Sequence, residues 1–157
     1  MVDISKLLPR SRSPRDYLDL IADPRVDREV LCTLAASPYS FVRMAVAEHP
    51  LADAHTLATL STEDLGGWDR RCLLATIARH PNADRMVLLR VLGETRALLR
   101  QPGGRPYAAA LALAKRPELA AEEILTLATQ PGASRRMRRG LRRNLAARTC
   151  ACGSMSC

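Results

Sequence analysis

Apolar residues recur along this chain at helical spacing, and four times they do so behind a proline. Counting from Pro24, Pro50, Pro81 and Pro117, apolar side chains stand seven and ten positions on: Leu31 and Leu34, Leu57 and Leu60, Leu88 and Val91, Ile124 and Leu127. Each pair lies on one face of a helix, one turn apart, and so predicts an amphipathic helix with its buried side defined. The residues before the prolines repeat as well: Ile21-Ala22-Asp23, Val46-Ala47-Glu48-His49, Ile77-Ala78-Arg79-His80 and Leu113-Ala114-Lys115-Arg116. Each segment reads as the end of one helix, a proline turn and the start of another.

Elementary constraints explain this punctuation. A proline pushes the residue before it out of the helical region, so the first helix of each pair should stop there. Three residues after the proline come Asp27, Asp53 and Asp84, while the fourth unit has Ala120. An aspartate there can accept from the free N–H groups that open the next helix. A helix–turn–helix this thin cannot bury its own apolar face, so neighbouring units must stack.

The expected fold is therefore all-α: a short solenoid of about four irregular helix–turn–helix repeats. Successive prolines are 26, 31 and 36 residues apart. The extra length falls at Glu63–Trp68 and Gly93–Arg105, both read as loops from their glycine and polar content. The expected organisation is a solenoid over 1–148, with a repeat core about 20–130 and a basic capping helix about 134–147, followed by a flexible Cys/Ser-rich tail over 149–157.

Composition agrees with close-packed helices. Aromatics make up 3% of the chain against 47% hydrophobic residues, so small aliphatic side chains must fill the core. The net charge is +8, but residues 135–148 hold seven arginines and no acid, leaving 17 basic against 16 acidic groups elsewhere. The body is thus nearly neutral, and the charge is a property of one helix. Arginine outnumbers lysine 22 to 2, a bias that codon supply in a GC-rich genome also produces.

The second unit resembles a known repeat. Val42-Arg43-Met44-Ala45-Val46-Ala47-Glu48-His49-Pro50, followed by Leu57 and Leu60, is similar to the variant leucine-rich repeat of bacterial proteins. That family has a VR-x-x-VA-x-NP core followed by spaced leucines. The likeness covers roughly residues 20–130 and is partial outside the second unit: the third moves its basic pair to Arg70 and Arg71, and the first shortens the spacer before its proline. HEAT-like solenoids share the pattern. The resemblance implies a right-handed helical superhelix and little about activity, because solenoids are mostly binding scaffolds. A member of the family carries an iron–sulfur cluster in a separate N-terminal cysteine segment that this sequence lacks, so its ligands do not transfer.

Two features beyond the repeat carry candidate chemistry. In the last helix, Met137, Leu141 and Leu145 form an apolar stripe, and Arg135, Arg136, Arg138, Arg139, Arg142 and Arg143 occupy the other faces. This pattern suits a capping helix, apolar inward and charged outward. It equally suits a docking surface for an acidic protein, a phosphate backbone or an anionic membrane, because the guanidinium fork matches such oxygens. No aromatic residue is interleaved there for base stacking, so any nucleic-acid binding would be weak and electrostatic.

The tail Thr149-Cys150-Ala151-Cys152-Gly153-Ser154-Met155-Ser156-Cys157 concentrates three of the five cysteines. Three readings stand open for it besides an inert end. Cys150, Cys152 and Cys157 could hold a soft metal ion or an iron–sulfur cluster, though the spacing matches no common four-cysteine motif. Alternatively, the tail is the core of a ribosomally made precursor peptide: modifying enzymes would dehydrate Ser154, and the Cys157 thiolate would add to the product. A redox or disulfide role is the third.

Other single residues read more simply. Cys32 and Cys72 are expected to pack in the core. His49 and His80 share one repeat position, which favours a structural role at the turn, and His55 is expected at the surface. Trp68, beside Gly66 and Gly67, is expected to shield the core in a loop, with partner anchoring as the alternative. No catalytic triad, phosphate loop or HExxH motif is present, so the expectation is a non-enzymatic scaffold without a resident cofactor and with a protein partner. The N-terminus lacks a secretory pattern and no stretch approaches a membrane span, which predicts a cytoplasmic protein with reduced thiols.

Overall fold

A computed structural model describes residues 13–62 and 66–153, with side chains to Arg148. The described residues form helices and turns without a strand. The helices are α1 Pro14–Ala22, α2 Arg28–Ala35, α3 Ser40–Glu48, α4 Ala54–Thr62, α5 Gly67–Arg79, α6 Arg85–Arg100, α7 Tyr107–Leu113, α8 Ala121–Leu125 and α9 Arg135–Gly153. Their contacts fall into two rows: α1, α3, α5, α7 and α9 pack successively on one another, and α2, α4 and α6 do the same beside them. One continuous apolar core runs between the rows from Ile21 to Leu141.

The helix boundaries follow the proline logic. Asp23, His49 and His80, each preceding a proline, sit at ψ of 127°, 128° and 132° and end α1, α3 and α5 in extended backbone. The carboxylates of Asp27, Asp53 and Asp84 then accept from the N–H groups of Val30, Thr56 and Val87 at 2.8–2.9 Å. Ala120 has no side-chain acceptor, so α8 keeps only the reciprocal bond, from the Ala120 N–H to the Glu123 carboxylate at 2.7 Å. All eight paired apolar residues of the repeat are at most 1% exposed. Ile21, Val46, Ile77 and Leu113 before the prolines are buried with them.

Consecutive turns are tied together by side chains about one unit later in the chain. His80 accepts from the Asn82 N–H through Nδ1 at 3.1 Å, and its Nε2 lies 3.0 Å from the His49 carbonyl, so the tautomer protonated on Nε2 satisfies both. Asn82 donates to the carbonyls of Pro50 and Ala52. Arg116 donates to those of His80 and Ala83 at 2.8 Å. Arg148 donates to those of Pro117 and Leu119. The carbonyls of Pro50, Ala52, Ala83, Pro117 and Leu119 gain partners in this way, while those of His49 and His80 also accept from the Ala52 and Ala83 N–H groups within their own turns.

Two expected loops differ. Residues 93–100 continue α6, because Thr95, Leu98 and Leu99 extend the buried face begun by Leu88 and Val91; a single glycine costs only about 1 kcal/mol inside a helix. The break is confined to residues 101–106, where Gly103 takes φ 75°. Around 66–68 the chain is already turning into α5, and Trp68 stands in its first turn, while residues 63–65 lie outside the described ones. At the other end, α9 runs to Gly153, past the expected end near residue 147.

Candidate functional site

The basic face of α9 is built from how that helix docks. Ser134 opens it, its hydroxyl accepting from the Met137 N–H at 3.1 Å. Met137 and Leu141 are 1% and 0% exposed, and Leu145 packs against the same core. Gly140 lets α9 lie close on α7, since a Cβ there would stand 2.6 Å from Leu111 Cδ2. Asn144 donates to the Leu111 carbonyl at 3.0 Å and Arg148 to that of Leu119 at 2.6 Å. One side of α9 is thus fully committed to the body, as a capping helix requires.

The opposite side carries Arg135, Arg136, Arg138, Arg139, Arg142 and Arg143, all exposed. Arg135, Arg138, Arg139 and Arg142, at helical spacing, line a shared depression of about 380 Å³. Arg136 and Arg143 lie beside that stripe rather than in it. Arg138 is steadied by donation from Nε to the Ala128 carbonyl at 2.9 Å. Among the described residues no carboxylate pairs with any of the six, although Arg15, Arg25, Arg70, Arg85 and Arg116 each have an acidic partner. Arg135 and Arg136 also open the helix, where its dipole is positive. Like charges four apart and cations at a helix N-terminus both cost stability, and a bound anion would relieve both.

The Cys150 and Cys152 side chains, Ser154 and Cys157 lie outside the described residues. Among the described residues no three His, Cys, Asp or Glu side chains gather as a metal site.

The turn histidines behave as structure. His80 is 6% exposed and fully engaged. His49 accepts from the Leu51 N–H at 3.2 Å. Burial, and secondarily the neighbouring His80, holds the His49 imidazole below the usual histidine pKa. His55 is exposed, as expected.

Two residues depart from expectation. Trp68 is 68% exposed instead of covering the core, because it sits on the outer face of α5's first turn. Cys32 and Cys72 are half-buried rather than enclosed. Trp68 and Cys72 mark a groove of about 680 Å³ that crosses α3, α5 and the start of α7. Its floor is Met44, Cys72, Ala75 and Pro106, with Thr76 Oγ donating to Met44 Sδ at 3.8 Å. Sequence reasoning missed this surface. The signal was a second face of α5, residues 68, 71, 72, 75, 76 and 79, adjoining the core residues Leu73, Leu74, Ile77 and Ala78. A face that mixes Trp68, Cys72 and Ala75 with Arg71 and Arg79 shows no clean stripe.

The described chain is thus all-helical, and it presents one arginine face and one apolar groove. No protein family, curated protein or solved structure matches it. No helix among the described residues is long and apolar enough to cross a membrane.

Proposed function

We propose that this chain is a non-enzymatic α-solenoid scaffold of about four helix–turn–helix units, whose last helix docks an acidic protein partner. The two rows of helices, the repeated aspartate caps and the side chains that bridge successive turns support the solenoid. The observation that carries the docking role is the unpaired stripe Arg135, Arg138, Arg139 and Arg142. Four guanidinium groups held together without counter-charge raise the helix's own energy, and partner carboxylates would turn that repulsion into attraction. The stripe has no aromatic platform for bases, which favours a protein over a single-stranded nucleic acid.

The test compares the full chain with a variant carrying Arg→Gln at the four stripe positions. Polyglutamate and a short DNA duplex serve as probes, between about 50 and 200 mM salt. Polyglutamate should bind the parent chain, weaken steeply with salt, and bind the variant at least roughly tenfold more weakly. Absent binding at low salt, or equal binding by the variant, sinks the docking role. Tighter, stripe-dependent binding of the duplex would reassign the partner to nucleic acid.

A further inference from the structure

The groove across α3, α5 and α7 is a second surface, remote in sequence from the α9 arginines and independent of them. We infer that it receives a short acidic segment of a partner protein, one large apolar side chain of which seats against Trp68 and Met44. Three observations converge on this occupant.

The first is the floor. Met44, Trp68, Cys72, Ala75 and Pro106 line it with mostly apolar surface, and Trp68 is 68% exposed. An aromatic of that size costs free energy in water and gains it when covered, which is why such residues anchor interfaces. Methionine adapts its shape to whatever side chain arrives.

The second is the rim. Arg71, Arg79 and Arg105 border the groove against one acid, Glu48. None of the three arginines has a carboxylate partner among the described residues. Arg79 and Ala108 also border a continuation of about 510 Å³ along the seam between α5 and α7, which adds Lys115. The groove is therefore elongated, apolar below and cationic along its edges. The complementary ligand is an extended run of acidic residues interrupted by an apolar one.

The third is scale and chemistry. A cleft of about 680 Å³ accommodates a few side chains and has no room for a duplex. One tryptophan offers a single stacking position, whereas single-stranded nucleic acids need a succession of them. A peptide segment fits both the volume and the apolar floor.

Trp68 is the chain's one tryptophan, so its fluorescence reports the groove directly in the unaltered protein. The probe is a synthetic peptide of glutamates flanking one phenylalanine, compared with its Phe→Ala form, its Glu→Lys form and an oligothymidylate. The acidic Phe peptide should shift Trp68 emission to the blue and slow alkylation of Cys72, followed by peptide mass spectrometry. The Ala and Lys forms should bind at least about tenfold more weakly. Arg71→Glu with Arg79→Glu should weaken the acidic peptide by a similar factor, while the four Arg→Gln changes on α9 should leave it unchanged. Arg79 is exposed and Arg71 half-buried, with neither in the core, so the paired variant should keep its helical circular dichroism.

No emission shift, unaltered Cys72 alkylation, or equal binding of the Lys form would overturn the inference. Tighter binding of the oligonucleotide would give the groove to nucleic acid instead. A dimer of the parent chain that Trp68→Ala dissolves would give it to a second copy.

Discussion

His49 shows how one residue acquires a pH dependence from its place in a turn. Its Nδ1 accepts from the Leu51 N–H, and burial, with the neighbouring His80, holds its pKa below the ordinary histidine value. A depressed folded-state pKa means that the unfolded chain takes up the proton first. Stability is therefore full above about pH 6.5 and declines as the pH falls through that value. The melting temperature should drop between about pH 7 and pH 5, and His49→Gln should flatten part of that drop. An unchanged pH profile in the variant would show that His49 does not carry it. The carboxyls of Asp53 and Glu118 are held low by the Thr56 N–H and the Arg116 guanidinium, so the stability they contribute is lost chiefly below about pH 5.

At this scale the sequence was largely legible. Asp27, Asp53 and Asp84 cap the helices their spacing predicts, because capping depends on neighbours within one turn. The burial of Leu31, Leu57, Leu88 and Ile124 was equally readable from period alone. Trp68 was not, since whether a side chain covers a core or faces solvent depends on where neighbouring helices pass.

Among the elements, α9 is the one whose charge and packing disagree. Its inner side is committed to α7 and α8, and its outer side places Arg135, Arg139 and Arg143 at four-residue intervals without an acid. Arg139→Glu would put a carboxylate one turn from Arg135, Arg142 and Arg143. The urea midpoint should rise, reflecting about 0.2–0.5 kcal/mol of added unfolding free energy for each favourable pair formed. The same change should weaken polyglutamate binding. A variant that is both less stable and equally well bound would mean that the arginines interact in ways opposite to those described above.

Helix α6 gives the complementary lesson. Gly93 marked a loop by composition, yet the buried face through Thr95, Leu98 and Leu99 carries the helix on to Arg100. Tertiary burial outweighs a local preference of about 1 kcal/mol.

Across the whole molecule, one core joins α1 to α9 without a gap. Leu141, fully buried at one end, and Trp68, exposed on α5, should therefore report the same transition. Leu141→Ala should cost about 2–5 kcal/mol. Urea midpoints from circular dichroism and from Trp68 fluorescence should fall together, as a cooperative transition requires. Separate midpoints would mean that the units unfold independently.

The sequence by itself determined the all-helical class, the proline-marked helix ends, the caps and most of the core. These depend on residues a few positions apart, and such distances are fixed by the chain. It also located the arginines, since charge needs no fold to be counted. Only the tertiary structure decided which four of them share a depression, and that α5 lines a second surface, with Trp68 and Cys72 beside Met44 and Pro106. The bonds from Asn82, Arg116 and Arg148 back to earlier turns were likewise hidden, because each joins residues about thirty positions apart. Such contacts exist only once neighbouring helices have stacked, and no local pattern encodes the position of a neighbour.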